Sequence, residues 1–123
     1  MDTRSKIGDA PARAGRSGRV HLARGWFDVL TAEHCRILQD AKVDGSELVV
    51  LVYRDSAERP SPLRTYDRAQ MVAALSCVDW VLVCSVDQAD SIAKRLRPQF
   101  EMDMDASQTR DVVRDVLALH RKH

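Results

Sequence analysis

The chain has 123 residues, 45% of them hydrophobic and 30% charged, with 19 Lys and Arg against 18 Asp and Glu. This length predicts one domain that buries roughly two-thirds of its unfolded surface, so folding requires neither disulfides nor a structural metal. A net charge of +1 supplies no global field for nucleic acid or anionic lipid, which argues against nucleic acid as a partner.

The sequence also bears on compartment and cofactors. No apolar run reaches the ~18 residues that a membrane span requires, and the N-terminal residues lack the apolar core of a signal peptide. Cys35, Cys77 and Cys84 have no C-x-x-C spacing and are typical of buried thiols in a reducing compartment. No His, Cys and carboxylate set has metal-ligand spacing. We therefore expect a cytoplasmic protein with no membrane contact and no metal site of its own.

Residues 1–19 differ in composition from the remainder of the chain. They carry five basic and two acidic side chains, almost no large apolar ones, and the chain breakers Gly8, Pro11, Gly15 and Gly18. Such a segment cannot bury enough surface to offset its ordering entropy. The composition predicts a disordered basic tail over residues 1–19, with an arm that binds nucleic acid or a partner as the alternative, and a domain over residues 20–123.

From Val20 onward, short apolar runs alternate with amphipathic segments. The predicted strands cover residues 20–23, 48–53, 80–84 and 100–104, and the predicted helices cover residues 31–42, 65–76, 89–96 and 107–121. The run LVVLVY at residues 48–53 is apolar on both faces, which is typical of a central parallel strand. The pattern predicts an α/β fold, a Rossmann-like open parallel sheet with helices on both faces. Ligands bind such sheets beyond the carboxyl ends of the strands, where the strand order reverses.

The segment after the first of these strands, RGWFDVLTAEH at residues 24–34, is similar to a known family motif. Gly25, Phe27, Asp28 and His34 occupy matching positions in G-x-F-D-x-x-H-x-G-H, the pattern of the cytidylyltransferase-like nucleotidyltransferases, which the segment resembles. The likeness continues over residues 20–98, at Arg54-Asp55, Arg59-Pro60, Asp67-Arg68, Val78-Asp79 and Arg97-Pro98.

The resemblance implies a function and a set of site residues. Members of this family join a nucleoside triphosphate, usually CTP, to a phosphate-bearing acceptor and release pyrophosphate. It implies catalytic roles for His34 and Thr31, CTP with Mg²⁺ as the ligands of an active enzyme, and a possible homodimer, with which an edge strand at residues 100–104 is compatible. The nucleotide- or phosphate-binding residues that it implies are Gly25, Trp26, Phe27, Asp28, His34, Arg68, Ser107 and Thr109.

Four departures from the family pattern indicate a weakened site. Thr31 stands where the first histidine is expected, and Glu33 stands where the glycine is expected, so a carboxylate enters the first turn of the helix. That carboxylate competes with phosphate for the positive end of the helix dipole. The loop at residues 55–63 has no lysine, and the segment that precedes the Ser/Thr turn at residues 107–109 is missing.

Each site residue also has a structural interpretation. His34 fits a helix-start histidine, Arg68 a solvated arginine, Ser107 a helix cap, Thr109 an exposed residue, and Asp28 a turn former. We interpret the chain as a degenerate cytidylyltransferase-like domain, or pseudoenzyme, that binds a nucleotide (CTP or CMP), a phosphate ligand or a protein partner with little or no nucleotidyl transfer. The alternatives are an active CTP-dependent enzyme that joins CMP to a phosphorylated small-molecule acceptor, and a ligand-free interaction module.

Overall fold

A five-stranded parallel sheet forms the centre of the protein. The computed structural model describes residues 6–8, 18–28, 30–56, 60–61 and 63–105. The strands in chain order are β1 (Ile7–Gly8), β2 (Val20–Gly25), β3 (Glu47–Tyr53), β4 (Trp80–Cys84) and β5 (Phe100–Asp103). Their order across the sheet is β1-β4-β3-β2-β5, and every neighbouring pair is parallel. The predicted open parallel sheet is confirmed.

In the part of the chain that the structure describes, three helices cover the two faces of the sheet. They are α1 (Ala32–Ala41), α2 (Thr65–Ala73) and α3 (Val86–Leu96). The apolar side chains of α1 and α2 pack in one core with the residues of β3 that face them, and α3 packs with the other face. Because β3 is covered on both sides, Leu48 to Val52 are all fully buried, which is why this run is continuously apolar. The helices lie on both faces, as predicted, although the predicted helix at residues 107–121 lies outside the described residues.

Strand β1 lies within the segment that the composition predicts to be disordered. Ile7 pairs with Val81 and Gly8 with Leu82, and Lys6 Nζ donates to the Leu75 carbonyl at 3.2 Å. The prediction is corrected for these residues, because a two-residue strand needs only one apolar side chain and the free edge of β4. The order of the other residues of this segment, and the domain boundary at residue 20, stay predictions.

The strand order reverses at β2. The chain passes from β2 through β3 to β4 in one direction and returns with β5 to the opposite side of β2. The Met104 N–H donates to the Arg24 carbonyl at 2.8 Å, which holds the carboxyl ends of β2 and β5 together. β5 lies at the sheet edge, as its alternating pattern predicts. The reversal point, where ligands of such sheets bind, is therefore the end of β2, and α1 begins a few residues further on.

The described helices also bear on membrane contact. None of them combines the length and the apolar character that crossing a bilayer requires.

Candidate functional site

Gly25 ends β2 at the point where β2 and β5 come closest. A Cβ atom at this position would lie 3.1 Å from the Asp105 Oδ2 atom and 3.1 Å from the Met104 Cβ atom. These distances are tighter than most Cβ contacts, so a side chain here would require Asp105 or Met104 to shift by a few tenths of an ångström. Gly25 therefore lets the ends of the two strands meet at the reversal point.

Phe27 has a strained backbone in the turn between β2 and α1. Its φ angle is +54°, in the left-handed region that bulky residues rarely adopt, and its side chain is buried. The Phe27 ring meets the His34 ring edge-on, with 6.2 Å between their centroids. Left-handed residues of this kind cluster at ligand sites, because the surrounding structure must hold them in place. Phe27 thus fixes both the path of the turn and one side of His34.

Thr31 and His34 cap the start of α1 reciprocally. Thr31 Oγ1 accepts from the His34 N–H at 3.1 Å, and His34 Nδ1 accepts from the Thr31 N–H at 3.3 Å. This is a capping box in which histidine replaces the usual Glu or Gln. Because Nδ1 is the acceptor, the ring proton of His34 lies on Nε2. The structure brings the two predicted catalytic residues together, with one polar atom of each side chain engaged in the cap.

Two carboxylates lie near this helix start. Glu33 is exposed in the first turn of α1, as the sequence predicts. Asp105, which the sequence analysis did not single out, accepts from the Trp26 N–H through Oδ2 at 2.7 Å. A backbone N–H beside Gly25 is thus already occupied by an anionic group of the protein. Both carboxylates disfavour a further anion at this position.

Arg68 is fully buried, and its guanidinium donates from all of its nitrogens. An arginine side chain has five N–H donors. Those of Arg68 donate to the Leu63 carbonyl (Nε, 3.3 Å), the Tyr53 carbonyl (Nη1, 3.0 Å), the Trp26 carbonyl (Nη1), Thr65 Oγ1 (Nη2, 3.1 Å) and Asp55 Oδ1 (Nη2). The five acceptors match the five N–H donors, so every N–H of Arg68 has a protein partner.

The Arg68 bonds join three segments of the chain. They connect the turn after β2, the end of β3 and the start of α2. The interpretation of Arg68 as a solvated arginine is therefore wrong, because a planar fork of donors is held where several carbonyl groups converge. The phosphate contact that the resemblance implies stays a prediction, and it requires Arg68 to release at least one of these bonds.

On the opposite face of the sheet, Arg24 and Tyr53 form a second polar pair. Arg24 Nε donates to the Tyr53 hydroxyl at 2.5 Å, and Arg24 Nη1 lies 2.9 Å from Asp90 Oδ1. Burial acts against the charge of Arg24, but the bonds to Tyr53 and Asp90 outweigh it and raise its pKa. Burial raises the pKa of the Tyr53 phenol, against the opposing effect of Arg24. Arg24 stays charged and Tyr53 stays neutral near pH 7. The Trp26 ring packs edge-on against Tyr53 with 5.1 Å between centroids.

The buried thiol of Cys84 belongs to the same face. Burial raises its pKa to about 11, so the thiol stays protonated near pH 7. A protonated thiol is a poor nucleophile. Cys84 therefore has a packing role, as expected of a buried thiol, whereas Cys35 and Cys77 are only half-buried and the expectation is wrong for them.

The other predicted residues have different outcomes. Trp26 and Asp28 lie half-buried in the turn after β2, and the predicted role of Asp28 in holding the turn stays a prediction. Ser107 and Thr109 lie outside the described residues. His21 is buried, with 2.8 Å between its Nδ1 atom and the Ala41 carbonyl oxygen. Within the described residues, no group of three or more His, Cys, Asp and Glu is arranged to hold a metal.

The partners of Arg68 and the Asp105 contact are what the sequence analysis missed. Asp55 and Thr65 are ten residues apart and meet only through the fold, where the Asp55 N–H donates to Thr65 Oγ1 at 3.2 Å. The sequence did offer one signal for Asp105, because it follows β5, the strand that returns to the side of β2. A residue at the carboxyl end of that strand lies next to the reversal point.

Comparison with known proteins agrees with this architecture. Residues 22–120 match the family model for cytidylyltransferase-like proteins, and the chain belongs to this family. The family resemblance found from the motifs is thereby confirmed.

Several relatives are bifunctional proteins called HldE. The HldE proteins of Shewanella piezotolerans and of Shewanella amazonensis are each 37% identical to this chain over 89 residues, 68% of the chain. The matched part is 19% of each relative, so the chain spans about a fifth of the length of the curated relatives it matches. The crystal structure of a lipopolysaccharide core biosynthesis protein from Thermoplasma volcanium has the same fold, with a TM-score of 0.61 and 22% identity over 83% of this chain and 88% of that one.

The bonds of Arg68 predict a large stability effect. Replacing Arg68 with Met leaves the Asp55 carboxylate and several carbonyls without their donor, so we expect Arg68→Met to lower the free energy of unfolding by about 3–5 kcal/mol. Arg68→Lys retains the charge but lacks the planar fork of donors, so its free energy of unfolding should lie between those of Arg68→Met and the parent protein. Urea unfolding followed by circular dichroism measures both.

Arg64 supplies the matched control for this experiment. It lies four residues earlier, at the start of α2, with an exposed side chain that makes no capping bond. We expect Arg64→Met to change the free energy of unfolding by less than about 0.5 kcal/mol. Equal losses for Arg64→Met and Arg68→Met would contradict the structural role of Arg68.

Proposed function

We propose that this chain is a cytidylyltransferase-like domain that binds a nucleotide, such as CTP or CMP, with little or no nucleotidyl transfer. The binding mouth is defined by the turn at residues 25–28 and the start of α1. The proposal depends chiefly on Arg68, whose donors all have protein partners. Among the phosphate-binding residues that the resemblance implies, Arg68 and His34 lie in the described part of the chain; every N–H of Arg68 bonds to the protein, and Nδ1 of His34 is used in the cap of α1.

Nucleotidyl transfer needs positive charge where negative charge develops around the α-phosphorus. At this mouth Thr31 is neutral, and one nitrogen of His34 accepts from the Thr31 N–H. The guanidinium of Arg68 would have to leave a buried set of acceptors before it could act on phosphate. A transition state with growing negative charge therefore receives little stabilisation from these three residues.

Binding of a nucleotide has better support than transfer. The N–H groups at the start of α1 and the positive end of its dipole attract phosphate, and Gly25 keeps the end of β2 free of a side chain. Glu33 and Asp105 oppose this attraction. Two like charges about 5 Å apart repel by about 1–3 kcal/mol at the effective dielectric of a protein surface. The balance supports weak binding, with Mg²⁺ arriving as part of the nucleotide substrate.

The proposal extends to the compartment. Cys35, Cys77 and Cys84 are all free thiols, which supports a reducing compartment such as the cytoplasm. The homodimer stays a prediction.

Thermal unfolding with CTP and Mg²⁺ tests the proposal. At ten times the dissociation constant, the ligand should stabilise the protein by about 1.4 kcal/mol and raise the Tm by several degrees. Pyrophosphate release, measured with phosphorylated small-molecule acceptors, should stay at background. Release above background would establish an active transferase instead, and the absence of both signals would leave the interaction module.

Charge removal at the mouth gives a sharper test of the same site. Glu33→Gln and Asp105→Asn keep the side-chain shape and remove one negative charge each. We expect each change to tighten CTP binding about three- to tenfold at low salt, with a smaller gain at high salt because ions screen the repulsion. Isothermal titration calorimetry measures the affinities.

The control is Asp87→Asn, which makes the same chemical change in the first turn of α3. Its side chain is exposed at the start of a helix that packs on the opposite face of the sheet from α1, so CTP affinity should not change. The double variant Thr31→His, Glu33→Gly restores the family pattern and should tighten CTP binding further. If the mouth variants bind CTP no better than the parent, the explanation of the weakened site is wrong.

A further inference from the structure

Helices α1 and α3 begin with the same kind of cap. In α3, Ser85 Oγ accepts from the Gln88 N–H at 3.1 Å, and Gln88 Oε1 accepts from the Ser85 N–H at 2.9 Å. In α1, Thr31 and His34 form the equivalent pair of bonds. The two capping boxes differ in the acceptor of the N-cap N–H, which is an amide oxygen in α3 and an imidazole nitrogen in α1. Of these two acceptors, only the imidazole can take up a proton near neutral pH.

The cap of α1 therefore depends on the protonation state of His34. In the neutral ring, Nδ1 carries the lone pair that accepts from the Thr31 N–H, whereas a protonated imidazole has an N–H on both nitrogens and accepts at neither. Uptake of a proton from solvent at Nδ1 breaks this bond, because it places two donors against each other. The bond from the His34 N–H to Thr31 Oγ1 does not involve the ring, so half of the cap is kept.

Both consequences of this protonation favour an anion at the mouth. The Thr31 N–H is released from His34 and can donate to a phosphate oxygen, and the ring gains a positive charge that attracts the same phosphate. Without a ligand, a cation at the positive end of the helix dipole is unfavourable, so the empty mouth favours the neutral ring. A bound phosphate reverses this preference.

The surroundings of His34 supply no second group that titrates in the same range. Its ring packs edge-on against the uncharged Phe27 ring. Charged side chains around the start of α1 come from α1 itself, the turn after β2, the end of β5 and α2, and they are Glu33, Arg36, Asp28, Asp105 and Arg68. Carboxylates in general titrate at about pH 4 and guanidinium groups above about pH 12. Among the described residues, the other histidine is His21, at the opposite end of α1 beside the Ala41 carbonyl.

We propose that nucleotide binding at the mouth is coupled to protonation of His34, with release of the Thr31 N–H from the cap as the link. This inference rests on the proposed function, because it describes how the same site is regulated. The neutral ring keeps the Thr31 N–H engaged, and the protonated ring releases it and adds a positive charge beside the phosphate. Binding therefore takes up a proton from solvent, and CTP affinity rises as the pH falls through the range in which histidine titrates.

The affinity of the full chain for CTP with Mg²⁺, measured by isothermal titration calorimetry at about pH 5.5 and about pH 8, tests the coupling. His34→Gln is the matched variant, because glutamine accepts the same N–H in a capping box, as Gln88 does in α3, but takes up no proton. Titration of the nucleotide's own phosphates affects both proteins equally. We expect the gain in affinity at the lower pH to be about three- to tenfold larger in the parent than in His34→Gln.

Amide resonances report on the cap in the absence of ligand. In ¹H–¹⁵N spectra recorded over the same pH range, the Thr31 amide of the parent should shift along the titration curve of the His34 ring. The Ser85 amide, which donates to Gln88, is the internal control and should keep its position. The Thr31 amide should also keep its position in His34→Gln, and the same spectra show whether this variant is folded.

The outcomes separate the coupling from the proposed function. An equal pH dependence of CTP affinity in the parent and in His34→Gln would overturn the coupling and leave nucleotide binding intact. A Thr31 amide that does not respond while the His34 ring titrates would also overturn it, because the cap would not be the link. If CTP binds at neither pH, the proposed function fails and the coupling fails with it, and the Thr31 amide still shows whether His34 opens the cap.

Discussion

The buried guanidinium of Arg68 is the interaction on which the geometry of the carboxyl edge of the sheet depends. The carbonyls of Trp26, Tyr53 and Leu63 converge there from three separate segments. Carbonyls removed from water are costly unless they accept hydrogen bonds, and Arg68 donates to all three. Arginine is suited to this position because its five donors are fixed in one plane, whereas lysine has three donors on one atom.

Arg68 also links the turn after β2 to the end of β3 and the start of α2. Its Nη1 atom donates to the Trp26 carbonyl in the turn that leads to α1, and its Nη2 atom donates to Asp55 and Thr65. One side chain therefore holds the turn at the mouth against the start of α2.

Much of the fold could be predicted from the sequence because its causes are local. The run at residues 48–53 is apolar on both faces, and a central strand between two layers of helices buries both. The alternation of apolar and acidic residues at 100–104 fits a strand at the sheet edge. The start of α1 could also be predicted from the sequence, since Thr31 is a good helix cap. The motifs were sufficient to predict the family because they form one ordered series along the chain.

The features missed from the sequence arise from contacts between distant residues. Asp105 is 79 residues from the Trp26 amide that it binds, and Lys6 is 69 residues from the Leu75 carbonyl. The five partners of Arg68 lie on three segments, and only the folded sheet brings them together. The motif alone therefore implied that Arg68 contacts phosphate, whereas the fold supplies protein partners for each of its donors. In the same way, composition averaged over residues 1–19 could not reveal that Ile7 would find the edge of β4.

The most direct test of this account is an NMR spectrum of the Arg68 side chain in protein labelled with ¹⁵N-arginine. A guanidinium held by protein acceptors at every donor rotates slowly, so its Nη hydrogens should give separate resonances that exchange slowly with water. The account predicts that these resonances are present without ligand and keep their positions when CTP and Mg²⁺ are added. A single averaged resonance in the free protein, or a large shift on addition of CTP, would contradict it and would make Arg68 a phosphate ligand.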